Sequence, residues 1–245
     1  HLTQPAISAQ VVALETALKL KLFDRVGKTF SITEPGRVVL KCAQDIHLRV
    51  GQMQRELEDI GDLTAGTLRI GASLVVGAYL LPEIMVRFRN QYPLVELVIK
   101  VQPARQVIDL LLRGELDIGV IGEGTPVSDE RIAVKPFMQD EMVVIAHPSD
   151  HIADVERMSP NELSQRPFVM PARDSASGEY LLDHVRAAGI SLHSVLEFGT
   201  VGAVKRSVEA GMGISIVSRY AVSRELQEGR LQTVPVTGLN LERHV

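Results

Sequence analysis

Three stretches set a hydroxyl residue where a strand would hand over to a helix: Ile70-Gly71-Ala72-Ser73, Ser175-Ala176-Ser177-Gly178 and Phe198-Gly199-Thr200-Val201. At such a turn the first helical amides lack carbonyl partners and sit at the positive end of the helix dipole, which suits an anion. Ser73, Ser177 and Thr200 would add hydroxyl contacts. In an open parallel sheet a ligand lies beyond the carboxyl ends of the strands, so the three turns can converge on one crevice, with a small anion as its simplest occupant. Each hydroxyl taken singly also reads as an N-cap, worth roughly 1 kcal/mol to its own helix. The joint placement is what favours a site. Arg173 could fork onto a carboxylate or phosphate, or be a solvated surface charge. Lys205 lies farther into its helix and is given no role.

Other chemistries find little in these residues. A serine hydrolase is suggested by the many serines and seven histidines, yet Ser177-Gly178 lacks a nucleophile elbow and no histidine follows at a spacing that would orient a general base. His147, His151, His184 and His193 are scattered, as surface or lightly packed residues are. Paired His or Cys ligands at helical or hairpin spacing are absent, so no metal is expected. Gly119-Val120-Ile121-Gly122-Glu123-Gly124 follows a strand without meeting the dinucleotide pattern, and no cofactor is expected. The reading is of a protein that is not an enzyme.

Periodicity gives the elements that would carry these residues. From Thr67 onward short apolar strands (68–71, 95–101, 117–121, 142–146, 168–170, 195–198 and 213–217) alternate with helices near 74–90, 103–113, 178–188 and 201–210. That alternation predicts an α/β domain of two mainly parallel sheets with helices on both faces. Before it, Val39, Ala43, Ile46, Val50, Met53, Leu57 and Ile60 step by four and three. This is the seam of a coiled coil, which a lone helix cannot bury, so a second copy is the expected partner; a helix packed on its own domain is the alternative. Leu63-Thr64-Ala65-Gly66 would end it as a hinge. Nearer the start, Thr3 is a good N-cap, Pro5 sits in a first turn, and Ile7, Val11, Leu14 and Leu18 recur at helical spacing. Leu22-Phe23-Asp24-Arg25 and Phe30-Ser31-Ile32-Thr33 flank Val26-Gly27-Lys28-Thr29, a small two-stranded turn with a basic tip.

The 245 residues are 45% hydrophobic, enough for two or three units with a sizeable core. A net charge of -4 permits a small DNA-reading segment beside an acidic neighbour. Cys42 is the single cysteine, so no intrachain disulfide can form. On its helix, beside the seam, a small buried thiol is expected and a redox switch is the alternative. No stretch approaches the roughly 18 apolar residues of a membrane span, and no secretory signal opens the chain, so a cytoplasmic setting is expected.

The order and spacing of Leu2-Thr3-Gln4-Pro5-Ala6-Ile7-Ser8, Leu14-Glu15, Leu22-Phe23-Asp24-Arg25 and Thr33-Glu34-Pro35-Gly36 closely resemble the helix-turn-helix and wing of LysR-type transcription regulators. Arg173 to Gly178 and Ala203 to Ile214 resemble the effector domain of the branch containing regulators of carbon fixation and sulfur assimilation. The resemblance runs over essentially the whole chain. It implies a partial winged-helix DNA reader over 1–33, a dimerising linker helix and hinge over 34–64, and an effector domain over 65–245. That domain would be periplasmic-binding-protein-like, with one subdomain of about 65–138 and 237–245 and another of about 139–236. It further implies that the family's first two helices would precede His1 and a final strand and helix would follow Val245. The partners implied are double-stranded operator DNA, a small anionic metabolite, a homodimer assembling into a homotetramer, and RNA polymerase. In a helix-turn-helix the second helix enters the major groove by its N-terminal residues, which would bring Thr3, Gln4, Pro5, Ser8 and Gln10 to the bases; ordinary helix N-terminal chemistry is the alternative for Gln4 and Ser8. Arg25, Lys28 and Thr29 would meet the phosphate backbone. Fewer phosphate contacts are expected where the family often has basic residues and this chain has Val12 and Ala13. Gln102 and Ser175 join Ser73, Ser177, Gly178 and Thr200 as effector candidates. A periplasmic solute-binding protein is the alternative function, but it would need an export signal and no coiled-coil seam.

Overall fold

Lys19, left-handed at φ 57°, ends the first helix, α1 (Gln4–Leu18), by turning its amide back onto Glu15 and Thr16 carbonyls. The computed structural model describes residues 3–26, 29–59, 65–150, 157–239 and 241–245. The chain divides into two units, His1–Gly61 and Asp62–Val245. Thr3 has the extended backbone of an N-cap, but its side chain makes no capping bond, and Pro5 lies in the first turn. Strands β1 (Phe23–Val26) and β2 (Thr29–Ile32) pair antiparallel with Val26 opposite Thr29. Lys28 lies outside the described residues.

A buried carboxylate ties α1 to this hairpin. Glu15 Oε1 accepts the amides of Leu22 (2.8 Å) and Phe23 (3.2 Å), and Oε2 takes Lys21 Nζ at 3.0 Å. The Leu22 amide first, then Lys21 and the Phe23 amide, hold the Glu15 carboxyl below its ordinary value of 4.5. A depressed carboxylate stabilises the fold above its unfolded pKa, and the contribution is lost as pH falls through the folded one. Exchange protection of the Leu22 and Phe23 amides is therefore expected to hold at neutral pH, to drop in acid, and to be absent at neutral pH in Glu15→Ala. Protection in that variant equal to the parent's would contradict the tie.

Helix α2 (Glu34–Asp59) begins where Thr33 Oγ1 accepts the Gly36 amide at 3.0 Å and donates to Lys21 O at 2.7 Å. Gly36 is required by close approach: a Cβ there would stand 2.2 Å from Leu22 O. Along α2 the apolar seam is open to solvent, with Ile46 65%, Met53 53% and Leu57 61% exposed. Ile60, its last expected member, lies outside the described residues. Cys42 is exposed, against the expected burial, because it sits one position away from the seam residue Ala43 on a helix with little packed around it.

In the second unit β3 (Ala65–Ala72) lies between β4 (Leu94–Val101) and β5 (Ile118–Val120), parallel to both. The expected helix near 74–90 starts as a π-helical turn, Val76–Leu80, in which the Leu81 amide reaches Val76 O, and continues as α3 (Leu81–Gln91). Pro82, which has no amide to give, follows directly and accommodates the widened turn. Helix α4 (Ala104–Leu112) buries Ala104 and Val107.

The other lobe departs from the parallel expectation. Its central strand β6 (Gln139–Ala146) pairs antiparallel with β9 (Ser215–Ser218), β10 (Gln232–Thr233) and β11 (Glu242–His244), while β7 (Pro167–Pro171) pairs parallel with β8 (His193–Phe198) and bridges Ile214 in parallel. The run Met142 to Ala146 is continuously apolar because both faces of β6 are covered. Met142, Val144 and Ala146 join a core with Phe168, Leu181 and Val185 of α6 (Ala176–Ala187). Val143 and Ile145 join another with Val204 and Val208 of α7 (Val201–Glu209) and Val222 of α8 (Arg219–Gln227). Sequence reasoning passed over α5 (Pro160–Gln165), though its capping box is written in Ser159 and Glu162. It also passed over α8, β10 and β11. Strands β6 and β11 join the lobes: Glu123 donates its amide to His244 O at 2.8 Å, and Val245 packs in the core of Ile70, Ala72 and Leu81.

Candidate functional site

Each hydroxyl turn follows a strand: Ser73 after β3, Ser175 to Gly178 after β7 and Thr200 after β8. Ser73 follows β3, its amide donating to Val120 O (3.0 Å) and its buried Oγ accepting the Gly122 amide (3.4 Å). Gln102, after β4, is set beside it by its amide bond to Ala72 O at 3.0 Å, leaving its half-buried side chain without a hydrogen bond among the described residues. From the other lobe Ser177 Oγ accepts Arg243 Nη1 at 3.1 Å. Thr200 caps α7 and accepts the Ala203 amide at 3.3 Å. Each of the three hydroxyls therefore accepts from a fixed donor and keeps its own proton to give.

Ser175 and Gly178 serve α6 itself. Ser175 Oγ donates to Ala172 O at 2.6 Å and accepts the Gly178 amide at 3.1 Å. A Cβ on Gly178 would stand 2.0 Å from Ala172 O, so glycine is needed for the turn to close. Arg173 pairs with Glu197 at 3.0 Å on the surface, the solvated alternative raised for it.

Among the described residues, side-chain contacts between the lobes include two near these turns. Arg105 of α4 meets Glu179 of α6 at 2.8 Å. Tyr79, on the π-helical turn, reaches α7: Lys205 Nζ lies 4.9 Å from its ring centroid, and its hydroxyl would be 3.8 Å from a Cβ on Gly202. Lys205 is itself held by Glu225 at 2.7 Å and Ala221 O at 2.9 Å. Tyr79 and Arg243 stand beside these candidates without having been singled out in the sequence. The first carried a faint signal, six residues past Ser73 on the same predicted helix; the second carried none.

In the first unit Thr3, Gln4, Pro5, Ser8 and Gln10 are all exposed. At roughly 100° per residue, Gln4 and Ser8 share a side of α1, whereas Gln10 points away from Ser8. Arg25 and Thr29 lie on the hairpin strands, with Thr29 exposed. Among the described residues no group of three His, Cys, Asp or Glu could hold a metal ion, and no helix is long and apolar enough to cross a membrane.

Residues 61–245 match the LysR substrate binding domain, and residues 1–37 match the bacterial regulatory helix-turn-helix protein of the lysR family. The chain belongs to the LysR family of transcription regulators. A relative described as "Probable RuBisCO transcriptional regulator" in Cyanophora paradoxa is 32% identical over 247 residues, covering 99% of this chain and 76% of its own. A full-length OxyR variant of Pseudomonas aeruginosa shares the fold of this LysR chain with a TM-score of 0.74 at 22% identity, covering 100% of this chain and 79% of its own. The CcmR regulatory domain of Synechocystis, solved in complex with 2-PG, gives a TM-score of 0.64 at 23% identity, covering 73% of this chain and 85% of its own. The LysR regulator thus has a helix-turn-helix segment and an effector domain of periplasmic-binding-protein-like α/β fold.

Proposed function

We propose that this regulator works as a dimer joined through α2, reading an operator with Gln4, Pro5 and Ser8 and sensing a small anionic metabolite between the lobes. The observation that carries the effector reading is the set of hydroxyls on Ser73, Ser177 and Thr200, each accepting one hydrogen bond and donating none among the described residues. A ligand rich in acceptors answers such a set. The relative solved with 2-PG supports a small metabolite in this fold. Ligand-dependent closure would bias the DNA-bound arrangement only if the ligand favours one arrangement of the lobes over the other.

DNA contacts from α1 and from Arg25, Lys28 and Thr29, a tetramer on the operator, an RNA polymerase contact and a cytoplasmic setting belong to the same reading. Ser73→Ala with Thr200→Ala is expected to weaken binding of 2-PG, phosphate or sulfate about thirtyfold, and with it the thermal stabilisation they give, while leaving operator affinity in a gel-shift titration within about threefold, since two lost ligand bonds of ~1 kcal/mol each act only on the effector. Gln4→Ala is expected to do the reverse. Undiminished stabilisation in the double variant would remove the cleft from the proposal.

A further inference from the structure

Arg243 is 2% exposed and stands opposite Asp140 in the antiparallel register of β11 and β6. Its Nε and Nη2 both donate to Asp140 Oδ2, at 2.8 and 2.7 Å, while Asp140 Oδ1 accepts the Ser218 hydroxyl at 2.7 Å. The remaining terminal nitrogen, Nη1, donates to Ser177 Oγ at 3.1 Å. On the other lobe the guanidinium faces the backbone of Gly122, whose amide is bound by Ser73. The ion pair therefore lies on the two strands that join the lobes, touching one hydroxyl candidate directly and a second through Gly122.

A buried ion pair stabilises a fold little better than apolar residues of the same volume. What it does supply is a guanidinium locked in one orientation, and three bonds leave two of its five N–H groups without a partner among the described residues. We infer that Arg243 is a binding residue for the effector: with the Ser177 hydroxyl it takes an oxyanion group of the ligand, a carboxylate, phosphate or sulfur oxyanion. Because Asp140 balances its charge, Arg243 acts through directed hydrogen bonds, and because it belongs to β11 the ligand's anionic group bears on the hinge itself. The inference rests on the proposed effector site and names a residue and a ligand group for it.

Gly122→Ala tests it without touching the pair. The added methyl would sit 3.5 to 3.8 Å from the guanidinium atoms, an ordinary contact, so the variant is expected to fold as the parent does while narrowing the approach to Arg243. Asp140→Asn with Arg243→Gln removes both charges together and leaves no buried ion unpaired. Titrations of the full chain with inorganic sulfate, inorganic phosphate and 2-PG, followed by calorimetry, are expected to show affinity weakened at least about tenfold in both variants, the loss of a charge-assisted hydrogen bond. Stronger weakening for phosphate and 2-PG than for sulfate would assign a phosphate group to Arg243, and the opposite order a sulfur oxyanion. Parental affinity in both variants, with binding still weakened in the Ser73 and Thr200 double variant, would overturn the role of Arg243 and leave the cleft standing. No binding of any of the three anions by the parent chain would overturn both.

Discussion

Ile46→Glu with Val50→Glu is expected to leave a monomer that no longer holds its operator. These seam side chains are 65% and 43% exposed on α2, and in a two-fold pair four of them leave the water. Burial contributes about 1.5–3 kcal/mol for each such side chain when complete. Even at half that, and before the repulsion of facing carboxylates, dimer dissociation should rise by at least about a hundredfold. Sedimentation velocity at micromolar protein reads the first effect and a gel-shift titration the second. The Glu15 tie and the Thr33 to Gly36 junction are untouched, so helix content should be unchanged. A variant that still sediments as a dimer would show that α2 does not form the interface and would remove the basis for pairing two reading heads.

The other large effect expected is on stability. Asp140→Ala deletes the partner of a guanidinium that is 2% exposed, leaving its charge in the interior with only the Ser177 bond. Breaking a buried pair by removing one side costs about 3–5 kcal/mol. At roughly 2–4 °C per kcal/mol for a unit of this size, the melting temperature of the effector unit should fall by about 10 °C. Asp140→Asn with Arg243→Gln should recover most of that loss, since two neutral amides of similar shape leave no ion uncompensated. A calorimetric scan in which the single and double variants melt together would mean that Arg243 finds water on losing Asp140, and that the crossover is looser than its burial indicates.

Legibility in the sequence followed the range of the interaction. The seam of α2 could be read because a four-three step is local and survives whatever the rest of the chain does. Strands such as β3 and β6 could be read because a short apolar run flanked by turn residues has few other homes. The direction of the strands beside β6 could not: Met142 to Ala146 declares two buried faces, and a buried strand looks the same between parallel and antiparallel neighbours. Ser73, Ser177 and Thr200 became candidates through their place at helix starts, whereas the internal duties of Ser175 and Gly178 depend on how closely the Ala172 carbonyl approaches. Cys42 shows the same limit, for its exposure depends on what packs around α2.

Sequence alone determined the two kinds of element in this protein, the heptad helix and the α/β lobes, and the hydroxyls at three helix starts, since each is a pattern of a few neighbouring residues. Only the tertiary structure decided that β11 returns beside β6. That return sets Arg243 against Asp140 across more than a hundred residues of chain and beside Ser177. No local propensity prefers one arginine over another for such a place; it is assigned by register, and register exists only once the sheet has formed.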